Sequence, residues 1–253
     1  MALHDAAREG FKGAERYERA RPEYPDDAVA WLAEALRLGP RARAVELGAG
    51  TGKCTRRLAP RCGTLVAVEP VEEMRRGLAA RLPAVRVVAG VAEAIPLRSG
   101  SASAVVCAQA FHWFATPEAL AEIHRVLAPG GRLGLVWNQR DESVDWVRRL
   151  GDLLEPLEGA APRYRTGRWR EAFRGFGRFG PLREDCFETA QVGPPGMVLD
   201  RIASISFVAA LPEQRRGKLL DEVRRLLQAE PATAGRAEVR LPYRTHVFWC
   251  ERR

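Results

Sequence analysis

Ala44-Val45-Glu46-Leu47-Gly48-Ala49-Gly50-Thr51-Gly52 runs from the apolar end of a strand, through an acid, into three glycines at alternate positions. Without Cβ atoms, Gly48, Gly50 and Gly52 let the backbone turn sharply and let a ligand approach main-chain N–H groups that a side chain would shield. Residues 53–59 can start a helix whose amide end faces the same ligand. Spacing then sorts the candidate cofactors. A dinucleotide loop, G-x-G-x-x-G counted from Gly48, needs its third glycine where Lys53 stands. A phosphate-cradling G-x-x-x-x-G-K-[ST] loop ending at Gly52-Lys53 needs glycine in place of Leu47, and Ser or Thr in place of Cys54. Both fail, and an E-x-G-x-G-x-G loop is left.

Outward from the loop, strand and helix patterns alternate. Apolar runs predict strands over 42–47, 64–68, 85–89, 104–108 and 132–137, with helical periodicity over 72–82 and 117–127. Pro25-Asp26-Asp27 before the periodic Val29, Leu32 and Leu36 signals a helix start. Such alternation implies crossover units and a parallel sheet covered on both faces. After Asn138 the rhythm changes. Residues 143–180 are rich in aromatics with no clean strand, and read as a cap inserted over the sheet's ligand edge. A strand over 183–191, helices over 198–207 and 218–228, and an antiparallel edge strand over 245–251 close the chain.

The whole chain bounds the class. At 253 residues it is long enough for one large α/β domain, and 46% hydrophobic with 28% charged residues suits a water-exposed globule. No apolar run is long enough for a membrane span, and no apolar signal core follows Met1, so the expected setting is cytoplasmic. Five scattered cysteines, never in C-x-x-C spacing, argue against a disulfide framework and against a metal site. The net charge of +8 is carried by arginines spread along the chain, which fits a solvated surface better than a nucleic-acid footprint.

In a doubly wound sheet the ligand sits beyond the carboxyl ends of the strands, where strand order reverses. The second strand ends in Glu69-Pro70, 21 residues beyond Gly48, placing two acceptor oxygens where both ribose hydroxyls of an adenosine can be held. An exposed strand-end carboxylate is the plainer account of Glu69 alone, and the glycine loop upstream favours the ligand.

The loop, Glu69, the segment Ala89-Gly90-Val91-Ala92-Glu93, and the turn Pro129-Gly130-Gly131 together resemble the class I S-adenosylmethionine-dependent methyltransferases. The resemblance implies a mostly parallel, seven-stranded Rossmann-like sheet in one domain. It divides as an N-terminal lid (1–27), a cofactor core (28–141), a substrate cap (142–182), and strands and helices that complete the sheet (183–253). It implies S-adenosylmethionine held by Glu46, Gly48, Ala49, Gly50, Gly52, Glu69 and Pro70. The main chain at Ala92, or the acid of Glu93, meets the adenine edge, because Val91 stands where the family often has Asp. Gln109, Ala110 and His112 line the methionine end and the acceptor.

The string Tyr17 to Pro25 also resembles the subgroup that includes trans-aconitate and small-thiol methyltransferases, which would lay Tyr17 and Arg21 over the cofactor. His112 is expected either as a base or substrate donor, or as a packed structural histidine. Trp113 and Asn138 are expected beside the acceptor. Trp169, Phe173 and Phe176 follow i, i+4, i+7 spacing, which reads as an aromatic helical face with arginines around it. That is either core packing or a pocket for an anionic or aromatic small molecule, with Trp169 in contact. Oxygen is the first expected nucleophile and sulfur the second. An RNA or protein methyltransferase and a cofactor-binding protein without turnover remain rivals.

Overall fold

The computed structural model describes residues 20–159 and 162–253. Tyr17 and the rest of residues 1–19 of the expected lid lie outside them. The elements run α1 (Asp26–Ala35), β1 (Arg43–Leu47), α2 (Thr55–Leu58), β2 (Thr64–Val68), α3 (Glu72–Arg81), β3 (Arg86–Val88), β4 (Ala102–Ala108), α4 (Pro117–Val126) and β5 (Leu127–Arg140). They continue as α5 (Asp145–Leu154), β6 (Arg183–Gly193), α6 (Pro195–Ala203), α7 (Ser206–Ala209), α8 (Glu213–Ala229) and β7 (Val239–Glu251).

One seven-stranded sheet has the order β3-β2-β1-β4-β5-β7-β6. The first five strands are parallel, while β7 pairs antiparallel with both β5 and β6. Order reverses between β1 and β4, so the crevice for a ligand opens at the ends of these two strands. Side chains alternate between two apolar layers. Val45, Leu47, Val105, Cys107, Leu135, Trp137 and Phe248 face one; Ala44, Ala104, Val106, Val136 and Val247 face the other. Helix α4 shows why the crossovers stay put. Thr116 caps it by accepting from Ala119 N at 3.2 Å, and Leu120, Ile123 and Val126 are fully buried, each stabilising by about 1.5–3 kcal/mol.

Three expectations need correction. The helix after the glycine loop is only the four-residue α2, because Pro60 tightens the chain into a 3₁₀ turn over Ala59–Arg61. The turn at Pro129-Gly130-Gly131 lies inside β5 as an irregularity in its pairing with β4, not ahead of the strand. The expected cap is two separate things. Helix α5 packs with α6, α7, α8 and the start of β7 in a third apolar cluster, and the aromatic run instead forms a 3₁₀ helix over Arg168–Phe173 against the sheet.

Candidate active site

The glycine loop is fixed by the strands beside it. Gly48 N donates to Val68 O at 2.9 Å, and Gly48 sits at φ +66° with its missing Cβ only 2.7 Å from Ala110 Cβ, so only glycine lets the β1 end approach the β4 end this closely. Glu69 ties the loop to β2. Its Oε2 accepts from Gly50 N and its Oε1 from Val71 N, both at 2.9 Å, and it is 5% exposed. Each carboxylate oxygen keeps a second lone pair for a ligand hydroxyl. Burial raises the Glu69 carboxyl, and the two main-chain donors oppose that rise.

Glu46, at the β1 end, is buried and accepts from Thr55 Oγ1 at 2.7 Å. Burial pushes its carboxyl up to about 8; the Thr55 bond pulls the other way, and the negative charge of Glu69 adds to the rise. Thus two buried acids stand in the wall of one crevice, Glu69 tied to the main chain and Glu46 held largely protonated beside it.

The segment after β3 is clamped from α4. Ile95 N donates to Glu122 Oε2 at 3.0 Å, and Arg125 donates to Ile95 O and Leu97 O at 2.9 and 2.8 Å. This holds Gly90, Val91, Ala92 and Glu93 along a cavity of about 230 Å³. The same cavity is lined by Arg21, Glu46, Gly48, Ala49, Gly50, Glu69, Pro70, Gln109, Ala110, Trp113 and Asn138. Gly52 does not line it: at φ +90° its N donates to Ala49 O at 2.9 Å and closes the loop's turn against Leu78. Phe114 lines the cavity as a wall residue, and Tyr24, Val71 and Met74 also line it, which sequence reasoning missed. Met74 carried a usable signal, being the first buried residue on the inner face of α3 directly after Glu69-Pro70.

Gln109 sits where two cavities meet. It is one of two non-glycine residues with positive φ among those described (+54°), held there by Gln109 N to Val136 O at 2.8 Å and Nε2 to Asn138 O at 2.9 Å. The second cavity, about 140 Å³, shares Arg21, Gln109, Trp113 and Asn138 with the first. It adds His112, Arg140, Glu142, Glu158, Arg163, Tyr164, Arg201 and Phe207, among others. The residues around 20–25 cover the junction. Arg21 Nη2 donates to Ser204 O at 3.0 Å, Glu23 pairs with Lys53 and Arg56, and Glu23 O accepts from Asn138 Nδ2 at 3.1 Å.

The structure narrows three expected roles. Trp137 Nε1 donates to His112 Nδ1 at 3.1 Å; an indole only donates, so this nitrogen carries the lone pair and the neutral ring bears its proton on Nε2. Burial, with the charges of Arg163 and Arg21, pushes the imidazolium down to about 3. His112 is therefore a fixed donor rather than a base. Asn138 lines both cavities while tying structure together, with Oδ1 accepting from Thr245 Oγ1 at 2.6 Å and one Nδ2 hydrogen holding Glu23 O, which leaves the second Nδ2 hydrogen as its remaining donor. Trp169 lines neither cavity: it is 2% exposed, with ring centroids 4.8 Å from Trp137 and 5.1 Å from Phe248, and belongs to the core.

Residues 45–135 match a family model described as a methyltransferase domain. An uncharacterized methyltransferase of Mycobacterium tuberculosis is 42% identical over 229 residues, spanning 90% of this chain and 89% of its own. An uncharacterized methyltransferase-like protein of Schizosaccharomyces pombe is 38% identical over 237 residues, 93% and 92% of the two chains. A solved structure assigned as a candidate type II methyltransferase from Anaeromyxobacter dehalogenans is similar at TM-score 0.70 and 28% identity, over 92% of this chain and 97% of that one.

The residues present fit S-adenosylmethionine. Glu69 offers spare acceptors to a ribose diol, the Gly48 to Gly50 backbone leaves room above it, and Glu46 can neutralise an ammonium. Glycine loop, strand-end acids, reversed strand order and relatives of near-full length converge, and the chain belongs to the class I S-adenosylmethionine-dependent methyltransferases.

Proposed function

We propose that the protein transfers the methyl group to an oxygen of a small organic acid that enters through the second cavity. The observation that carries this is the state of His112. With Nδ1 engaged by Trp137 and the proton on Nε2, the imidazole in the wall of the second cavity cannot take a proton from the acceptor. An acceptor that arrives already deprotonated needs no base, and a carboxylate is such a nucleophile. The bound cofactor supplies a methyl group activated by its sulfonium charge. With the cofactor bound, an acceptor carboxylate oxygen would take up the methyl group and leave S-adenosylhomocysteine behind, so the product would be a methyl ester.

The protein's share is placement and exclusion of water. His112 Nε2–H is available to the acceptor, Gln109 is held in its left-handed turn between the cavities, and Trp113 walls both. The segment around Arg21 and Glu23 acts as the near part of a lid. Thiolate S-methylation is the second reading, supported by the same lack of a base. A crevice of this size favours a small molecule over nucleic acid. The five described cysteines are all free thiols, and no described helix is long and apolar enough to cross a membrane, which supports a cytoplasmic setting.

Methyl-labelled S-adenosylmethionine incubated with a panel of carboxylic acids, thiols and phenols tests the reading. Label released as methanol by mild alkali is expected. Label on a phenol, stable to alkali, would overturn it.

A further inference from the structure

Among the described residues, the second cavity is lined by more arginines than acids. Arg21, Arg140, Arg163, Arg165 and Arg201 line it, against Glu142 and Glu158. Arg165 pairs with Glu158 at 2.5 Å, which uses one of the two acids. Arg140 comes no nearer than 3.7 Å to Glu142, beyond hydrogen-bond reach. Arg163 lies over the Phe207 ring at 4.3 Å and donates only weakly to Glu158 O at 3.3 Å. Neither Arg163 nor Arg201 has a carboxylate partner among the described residues.

Arg201 is the most telling of these. It is 6% exposed, its Nε donates to Tyr243 Oη at 3.1 Å, and its Nη1 has no hydrogen-bond partner. Tyr243 in turn donates to Gln191 Oε1 at 3.0 Å, so the guanidinium is held rather than free to turn away. The Nε groups of Arg140 and Arg163 also lack partners. Burying a guanidinium without a counter-charge costs several kcal/mol. Burial lowers Arg140 and Arg163 from the usual arginine range, and Arg201's charge lowers Arg140 further. An arrangement this costly is consistent with a counter-ion that comes with the ligand, and a guanidinium fork suits a planar carboxylate or a phosphate.

We propose that the second cavity is an anion subsite, in which Arg140, Arg163 and Arg201 hold a carboxylate or phosphate of the acceptor remote from the atom that is methylated. This rests on the reading above and deepens it: the acceptor carries a second anionic group besides its nucleophile. The shared residues Arg21, Gln109, Trp113 and Asn138 join the subsite to the cofactor cavity, so one small molecule spans both.

Calorimetric titration of the full chain saturated with S-adenosylhomocysteine, at low chloride, tests the subsite with inorganic phosphate, succinate and the neutral succinamide. Saturable binding of succinate, phosphate or both is expected, and none of succinamide. Succinate alone assigns a carboxylate, and phosphate alone a phosphorylated acceptor. Arg201→Gln and Arg163→Gln should each weaken the anion at least about tenfold and leave S-adenosylhomocysteine affinity unchanged. If Arg201→Gln fails to fold, the less buried Arg163→Gln decides. Absence of saturation by either anion below about 10 mM, or wild-type affinity in the folded variants, overturns the subsite. No turnover enters this measurement. Anion binding with a failed acceptor panel therefore sinks the carboxylate reading alone, and methyl ester formation without anion binding sinks the subsite alone.

Discussion

Trp137 Nε1 donates to His112 Nδ1 across 3.1 Å, and that bond decides what the histidine can do. The indole comes from the end of β5, where its ring is packed between Trp169 and Phe248 and cannot swing away. It places a hydrogen where an acid–base histidine would need a free lone pair.

His112 should therefore remain neutral well below its ordinary range. With the folded imidazolium near 3 and the unfolded one near its usual value of about 6.5, the unfolded chain binds the extra proton between these limits. This contribution to stability is fully present above about 6.5 and falls as pH falls towards 3. Nitrogen-15 spectra of the His112 ring at pH 5.5 should show the neutral Nε2–H tautomer. A doubly protonated ring at that pH would restore the base.

Glu69 should govern cofactor affinity through two effects at once. Its oxygens hold Gly50 N and Val71 N as well as offering lone pairs to the ribose. Glu69→Ala unties the loop and removes the acceptors, and should weaken S-adenosylmethionine by roughly 1–3 kcal/mol in calorimetry. Unchanged affinity would remove Glu69 from the site.

Glu46 predicts a proton released on binding. Without ligand its carboxyl is held up to about 8, so near neutral pH it is mostly protonated. A ligand ammonium nearby favours the carboxylate and drives the proton out. Affinity for S-adenosylhomocysteine should rise with pH up to about 8 and then flatten. Binding heats at pH 7 should depend on the ionisation heat of the buffer, and Glu46→Gln should lose both effects. Buffer-independent heats in the unaltered protein would show that Glu46 is already charged.

How much was legible follows from how local each feature is. Strand β2 was read to the residue, because Gly63 and Pro70 bracket a short apolar run. The strand β7 was read as only its second half, since Pro242 breaks the pattern. That proline is tolerated because its carbonyl still accepts from Asp141 N while its neighbours Leu241 and Tyr243 pair with Gln191 and Thr189 of β6. The wall of the first cavity was legible in good part, because one strand–loop–strand unit carries Glu46, Gly48, Ala49, Gly50, Glu69 and Pro70. The arginines of the second cavity were not. Arg140 ends β5, Arg163 follows α5, and Arg201 sits on α6, and no spacing in the chain announces that the fold brings them together. The aromatic run was legible only as a pair of alternatives. Of its two readings, core packing holds: the 3₁₀ turn over Arg168–Phe173 directs Trp169 onto Trp137 and Phe248 rather than into a pocket.

Gly48→Ala should be costly although it adds one methyl group. The new Cβ would stand 2.7 Å from Ala110 Cβ, at a φ of +66° that alanine adopts only with strain. Both atoms belong to strand ends with no flexible tip to yield. A loss of about 1–3 kcal/mol in chemical denaturation is expected, with cofactor affinity falling as well. Unchanged stability would mean that the loop can retreat from β4.

Asn138→Ala should separate the covering segment from the sheet. Asn138 Nδ2 holds Glu23 O, and its Oδ1 takes the buried Thr245 hydroxyl, so the truncation removes one tie to the segment and leaves one hydroxyl unpaired. The second effect should cost about 1–3 kcal/mol of stability. The first should appear separately, as faster amide exchange around Tyr24, because the remaining ties of Glu23 to Lys53 and Arg56 are exposed ion pairs of small net worth. Bound S-adenosylhomocysteine should restore protection if the segment closes over the cofactor. A stability loss with exchange near Tyr24 unaltered would confine Asn138 to the sheet and leave Arg21, through Ser204 O, as the tie that holds the segment down.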